Sequence, residues 1–344
     1  MTTKGPKPKA VLISDIHYNL NTLELADAAL NMAIKKANDL KIPLIVAGDL
    51  HDTKANLRAE CVARLIDTFY KIKVPTYLIR GNHDSHNEKS TDTALLFLGG
   101  INGMLSLIDE PCFCVPLGIR FIPYHHDVEA LRIYLKKIPD NSTIIMHQGL
   151  NGSESGEYIQ DKSALDFEDV KNFRVISGHY HKRQDIGFQT KTSGKMSSLQ
   201  MFSYIGNPYT LNFAESEDPE KGFQILMDDG SLEFVPTNLR KHVSYTCFVD
   251  DLPGLKQVNA EDLLKIKLIG SKEELSKLSR KYIETCVGRA DFRLEYVYTD
   301  ENLKLEDLVN KTSTPLMEEL INKNATDVAT KNRLKYLLEE LLCD

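Results

Sequence analysis

Short apolar runs alternate with polar clusters over the first half of the chain, and several runs stop on residues able to bind a metal ion. Ala10–Ser14 is followed by Asp15-Ile16-His17. Ile42–Ala47 ends on Gly48-Asp49-Leu50-His51-Asp52, and Val74–Ile79 ends on Arg80-Gly81-Asn82-His83-Asp84. Ser142–Met146 leads into His147, and Phe173–Ser177 into Gly178-His179-Tyr180-His181. Near-continuous runs of this kind predict strands buried on both faces. Between the first of them the apolar period lengthens. Leu23, Ala26, Leu30, Ala33 and Ala37 recur at helical spacing behind Asn21, which with Glu24 predicts a capped helix through about Asp39. Stretches 57–72 and 128–137 also read as helices. Strand, helix and strand at this spacing are βαβ units, so an α/β architecture with parallel strands is expected.

Residues 104–124 read as paired strands turning at Gly118, and segments 184–190 and 199–205 as a long hairpin flanking Thr192–Ser198. Gly222–Met227 and Leu232–Val235 make a second hairpin around Asp229-Gly230. After about Lys241 the pattern changes. A strand over Leu263–Ile269, a capping box at Ser271-Lys272-Glu273-Glu274 opening a helix to about Cys286, and a strand over Phe292–Tyr298 predict a small αβ domain. From Ser313 the chain is helical in pattern, with Leu316, Met317, Leu320, Ile321, Leu334, Leu337, Leu338, Leu341 and Leu342 forming a face that must bury against its own domain or another chain. The expected boundaries are 1–240, 241–303 and 304–344.

Composition narrows the class little. The 344 residues are 42% hydrophobic and 26% charged, as in a soluble globular protein. A net charge of −7 gives no global bias towards nucleic acid. Cys61, Cys112, Cys114, Cys247, Cys286 and Cys343 include no CxxC pair, which fits a reducing cytoplasm. Residues 1–9 lack the apolar run of a signal peptide, and no stretch approaches the ~20 apolar residues of a membrane span. A soluble, cytoplasmic protein without membrane contact is expected.

The polar clusters change the picture together rather than singly. One His or Asn-His-Asp after a strand is most often an ordinary loop. Here five clusters share one grammar, and in open α/β sheets the carboxyl ends of the strands are where ligands bind. One rim would then gather Asp15, His17, Asp49, Asn82, His147, His179 and His181, with His83 left over. This mixed nitrogen and oxygen set suits a pair of borderline divalent ions such as manganese, iron or zinc; it is too nitrogen-rich for calcium and has no thiolate for a structural zinc. Two ions ~3.5–4 Å apart can clamp the oxygens of an in-line phosphoryl displacement and bring the pKa of bound water towards ~7. Asp49 is the expected bridging carboxylate. His83 is the expected catalytic residue, stabilising phosphoryl oxygens or protonating the leaving group, with Asp84 raising its pKa and fixing its ring.

Asp15-x-His17, Gly48-Asp49, Gly81-Asn82-His83-Asp84, His147 and Gly178-His179-x-His181 resemble the five motifs of calcineurin-like metallophosphoesterases, over about residues 10–235. The resemblance implies a sandwich of two mixed sheets flanked by helices, followed here by a small αβ cap domain and a helical C-terminal tail. It also implies that Asp15, His17, Asp49 and His181 hold one ion and Asp49, Asn82, His147 and His179 the other. A narrower resemblance is to SbcD-type DNA nuclease subunits, including those of tailed phages. It rests on Tyr204-Ile205-Gly206-Asn207-Pro208-Tyr209, the hairpin after it, the cap and the tail. That likeness implies manganese as the usual cofactor, with magnesium, iron or zinc as alternatives. It further implies DNA as substrate and a homodimer within a heterotetramer, whose tails grip an SbcC-type coiled-coil ATPase, in the cytoplasm of a bacterium or phage-infected host. Many relatives carry His three positions after the bridging Asp, where Asp52 stands here beside His51, so the exonuclease and endonuclease balance stays open. His51 and Asp52 are equally readable as supporting loop residues.

Arg80, Lys182 and Arg183 are candidate phosphate contacts, each with a plain surface or strand-end alternative. His125-His126-Asp127 and Arg240-Lys241-His242 are similarly open. A phosphatase or phosphodiesterase acting on small esters is the alternative function, and a non-catalytic adaptor of a DNA-end-binding complex a further one.

Overall fold

The computed structural model describes residues 5–52, 57–86, 93–154, 164–188, 191–192, 195–196, 200–218, 220–254 and 258–299. The tail expected over 304–344 lies outside them, as do parts of the 151–156 loop and of the Thr192–Ser198 stretch. The chain forms two compact units that divide after Arg240.

In the first unit the strands are β1 (Pro8–Ile13), β2 (Leu44–Ala47), β3 (Thr76–Ile79), β4 (Leu105–Ile108), β5 (Cys112–Cys114), β6 (Ile119–Ile122), β7 (Thr143–His147), β8 (Arg174–Gly178), β9 (Gln184–Phe188), β10 (Lys191–Thr192), β11 (Lys195–Met196), β12 (Gln200–Tyr204), β13 (Gly222–Met227) and β14 (Leu232–Pro236). The helices are α1 (Leu23–Leu40), α2 (Ala59–Phe69), α3 (Val128–Leu135) and α4 (Phe167–Val170). One six-stranded sheet has the order β14-β13-β1-β2-β3-β4 and the other β5-β6-β7-β8-β12-β9. The first has a parallel run β1-β2-β3-β4 with antiparallel pairing at one margin, and the second a parallel centre with an antiparallel strand at each margin.

Alternation along the central strands builds the layers. Ala10, Leu12, Ile45, Ala47 and Ile79 face Ile119, Phe121, Ile145 and Ile176 between the sheets. Their neighbours Val11, Ile13, Leu44, Val46 and Leu78 pack with Ala26, Leu30, Ala33, Leu65 and Phe69 of α1 and α2. Ile122, Ile144, Met146 and Val175 pack with Leu131, Leu135 and Val170 of α3 and α4. Every central strand is therefore sealed on both faces, which is why each reads as an unbroken apolar run. This is the two-sheet α/β sandwich that the resemblance implied. The rim is correspondingly shared: motifs one to three end strands of one sheet, and His147 and Gly178 end strands of the other.

Local expectations needed adjustment. Residues 104–124 do not form one paired unit. β4 runs parallel to β3, whereas β5 and β6 form a hairpin in the opposite sheet. Thr22, not Asn21, precedes α1, and it makes no side-chain cap. Its hydroxyl instead donates to the His17 carbonyl at 3.0 Å, while Asn19 Oδ1 accepts from the Asn21 and Thr22 amides at 2.8 and 3.1 Å. The start of the helix is spent on fixing the first motif.

The second unit holds three parallel strands, β15 (His242–Phe248), β16 (Leu263–Gly270) and β17 (Phe292–Tyr298), with β16 central. Two short helices, α5 (Lys272–Ser276) and α6 (Arg280–Val287), replace the single helix expected. The Ser271/Glu274 capping box is present, but Ser279 caps a new helix by accepting from the Tyr282 amide at 3.2 Å. No helix among the described residues is long and apolar enough to cross a membrane.

Candidate metal centre

The loops after β1 and β2 lie side by side. The amides of Asp15 and His17 donate to the carbonyls of Gly48 and Asp49, both at 3.0 Å, and Tyr18 bridges to His51. Asp15, His17, Asp49 and His179 have φ of 53°, 52°, 50° and 90°, in the left-handed region that non-glycine residues avoid. Such conformations cost of order 1–3 kcal/mol each and persist where the surroundings dictate them. Gly81 leaves room for the second loop: a Cβ there would lie 2.2 Å from Asp49 Oδ1.

Strand ends and loops bring the predicted ligands into clusters. Asp15, His17 and His181 offer ligand atoms all within 4.8 Å of one another, and so do Asp49, His147 and His179. Asn82 Oδ1 joins the second cluster, 3.0 Å from His147 Nε2 and 3.0 Å from His179 Nδ1. Asp49 stands between the two. Its Oδ1 accepts from the His83 amide at 2.8 Å, leaving Oδ2 3.3 Å from His147 Nε2 and 3.8 Å from His17 Nε2. Asp15 accepts from the His179 amide at 3.1 Å, tying the first motif to the last.

The outer nitrogens of two imidazoles are hydrogen-bonded, and that of a third, His17, lies close to a carboxylate without a hydrogen bond. His17 Nδ1 faces Asp52 Oδ1 at 3.2 Å, His181 Nδ1 faces Glu215 Oε1 at 2.9 Å, and His147 Nδ1 faces the Ala47 carbonyl at 2.8 Å. With protons on those nitrogens, each Nε2 presents a lone pair inward. His17 and His181 then oppose lone pairs at 3.1 Å, and His147 opposes the Asn82 carbonyl oxygen. Neutral acceptors meet at such distances only around a shared proton or cation, so the donor set fits divalent ions. Burial alone would hold Asp49 protonated, yet His147, His83 and His17 keep it well below the usual carboxylate range. Burial likewise disfavours charge on His147, but Asp49 and Asp15 outweigh it and lift that imidazole to about 9. The centre holds surplus negative charge, which a cation can balance in place of a proton.

His83 is half-buried beside this centre, its ring edge-on to His17 with centroids 4.9 Å apart. The partner expected for it is corrected. Asp84 is buried and accepts from the amides of His51 and Gly81 at 3.0 and 2.8 Å. Burial and then the Asp49 charge raise it to about 6. It knits two loops together, while His83 Nδ1 donates to the Asp52 carbonyl at 2.6 Å. Asp52 thus serves twice, with its carboxylate behind His17 and its carbonyl behind His83. His51 is buried beneath it.

Of the phosphate candidates, Arg80 is corrected, while Lys182 and Arg183 lie in surface ion pairs. Arg80 is buried and donates to Ser85 Oγ at 2.8 Å and to the Tyr124 carbonyl at 3.1 Å, so it braces the third motif. Lys182 pairs with Glu154, and Arg183 pairs with Glu220 and lies over Phe234. Asp127 caps α3 through the Ala130 amide at 3.0 Å, and the His125 ring stacks on His126. Glu215, the buried Lys221 and Tyr124, whose ring lies 5.8 Å from that of His179, were not foreseen. Glu215 follows no apolar strand, and only its position in the folded chain reveals it.

A buried carboxylate flanked by two imidazole clusters at the ends of two sheets defines a metal-dependent phosphoester hydrolase. Residues 8–183, about half of the chain, match the calcineurin-like phosphoesterases, and the chain belongs to that family. No curated protein matches it.

Proposed function

We propose that the protein is a DNA nuclease subunit, hydrolysing phosphodiester bonds with two divalent ions, manganese first among them, and acting with an SbcC-type ATPase. The observation that carries this is the placing of Tyr204–Tyr209, the segment behind the narrower resemblance. Tyr209 donates its hydroxyl to the Ile16 carbonyl inside the first motif, and Asn207 Nδ2 donates to Glu215 at 2.8 Å behind His181. The segment is part of the centre, and the αβ unit after Arg240 follows it in the order that resemblance requires.

Asp15, His17, Asp49 and His181 would hold one ion and Asp49, Asn82, His147 and His179 the other. Together the ions would supply Lewis-acid polarisation of phosphoryl oxygens and make a water acidic enough to ionise near neutrality. Asp49 Oδ2, shared between the clusters, would keep two like charges close. His83, with Nδ1–H committed to the Asp52 carbonyl, keeps Nε2 for the proton of the leaving oxygen or for a phosphoryl oxygen.

The test is manganese with linear duplex and single-stranded DNA. Cleavage is expected, and His83→Ala should lower it by about 10²–10⁴-fold, the scale of a removed general acid, without loss of bound metal. Inert DNA would overturn the proposal. A second reading, hydrolysis of small esters, is favoured by the pairing of Lys182 and Arg183 with acids; faster turnover of a small phosphate ester than of DNA would select it. For the partner, deleting residues 314–344 is expected to abolish co-purification with the ATPase and leave metal content unchanged. A complex that survives the deletion assigns the tail to its own chain.

A further inference from the structure

The two halves of the centre are backed differently. Behind His181 stands the Glu215 carboxylate at 2.9 Å, and behind His17 the Asp52 carboxylate at 3.2 Å. Behind His147 there is only a neutral carbonyl, that of Ala47, at 2.8 Å. A carboxylate on the outer nitrogen makes the inner nitrogen a stronger donor and fixes the ring's orientation, an effect commonly worth 10–100-fold in metal affinity. The half with Asp15 thus has a hydrogen-bonded carboxylate behind His181 and a second carboxylate close to His17, whereas the half with Asn82 includes a neutral amide among its ligands.

Glu215 is held in place for this work. Its other oxygen accepts from Asn207 Nδ2 at 2.8 Å and from the Leu211 amide at 3.2 Å, with Lys221 Nζ 3.2 Å away. Lys221 is 4% exposed and donates to Asn207 Oδ1 at 2.6 Å, to Asp218 at 2.7 Å and to the carbonyl of His181 itself at 3.3 Å. One lysine therefore grips the backbone of the ligand residue and helps to hold the carboxylate behind its ring in place and ionised. A loop needed only to close the hairpin would require none of these bonds to converge on His181.

We propose that Glu215 is a positioning residue that makes the Asp15, His17 and His181 half the tighter of the two cation sites, so that the halves load in order. This rests on the two-cation reading above. The test is titration of the metal-stripped full-length protein with Mn2+, followed by the resonance signal of free Mn2+ and by calorimetry. Two classes of site are expected. Glu215→Gln keeps the shape and removes the charge; it should weaken the tighter class by about 10–100-fold and leave the weaker class in place, in a variant that circular dichroism shows to be folded. Should that variant not fold, Asp52→Asn applies the same loss of charge behind His17 at a side chain that is 35% exposed, and should weaken the same class. Equal weakening of both classes, or no change in a folded variant, overturns the inference. Two equal sites in the wild type also overturn it while leaving the two-cation reading intact, whereas one ion or none defeats that reading itself.

Discussion

Replacing Asp49 with Asn is expected to cut phosphoester hydrolysis by at least about 10³-fold and, if two manganese ions bind as proposed, to leave at most one bound after dialysis. The carboxylate does two things that an amide cannot do together. Its Oδ1 accepts from the His83 amide at 2.8 Å, and its Oδ2 sits between His147 Nε2 and His17 Nε2. If the oxygen of the introduced amide turned inward, its NH2 would face the His83 N–H, donor against donor. If the oxygen turned outward, the NH2 would occupy the place between the two imidazole clusters and repel the cations. Either way the negative charge that pulls against burial at Asp49 is gone. Losing several kcal/mol of charge stabilisation at the reacting phosphate corresponds to the rate loss stated, since each 1.36 kcal/mol is tenfold. Metal analysis beside turnover of DNA or a phosphodiester reporter checks it. A variant with both ions and near-wild-type turnover would remove Asp49 from the bridging position.

The same residue shows what was readable beforehand. An apolar run ending on a polar cluster locates a strand end in any sequence, so Asp15, His17, Asp49, Asn82, His147, His179 and His181 could each be named from the pattern. Burial on both faces also told that helices or a second sheet must cover every central strand. Which sheet a strand joins was not readable, because β4 and β6 carry similar apolar content and differ only in their pairing. Hence the 104–124 region was read as one paired unit, although its strands lie in opposite sheets. The supports of the site were hidden for a related reason. His17, His83 and His181 each rest on an oxygen from a loop or a short 3-10 turn, and such a segment's contribution depends on where its backbone passes. Sequence proximity suggested Asp84 for His83, but the strand-end turn carries the Asp84 side chain to the amides of Gly81 and His51 instead. Arg80 misled in the same way: a guanidinium at a strand end looks available until Ser85 and the Tyr124 carbonyl close over it.

Gly178→Ala should be among the most damaging substitutions of residues that bind nothing. Gly178 ends β8 where the second sheet meets the first, and its constraint is space rather than backbone conformation. A Cβ there would stand 2.0 Å from Ser14 Oγ, 2.5 Å from the Ala47 carbonyl oxygen and 2.8 Å from His147 Nδ1. None of the three can yield without loss. Ser14 Oγ donates to that same Ala47 carbonyl at 2.9 Å, and the carbonyl in turn holds His147 Nδ1 at 2.8 Å. To admit one methyl group, β8 must move away from β1 and β2, carrying His179 and His181 away from Asp15 and Asn82. Overpacking a closed core costs about 1–3 kcal/mol and more where backbone must shift. At roughly 2–4 °C per kcal/mol in a unit of this size, the metal-free protein should unfold about 2–12 °C earlier than the wild type. Metal binding should fall further than stability, because a displacement small for the core is large for ligands that must meet within bonding distance of one ion. Thermal unfolding and Mn2+ titration on the same preparation separate the two effects. An unchanged melting temperature with intact metal binding would mean that the sheets do not approach each other at Gly178 as closely as this structure has them.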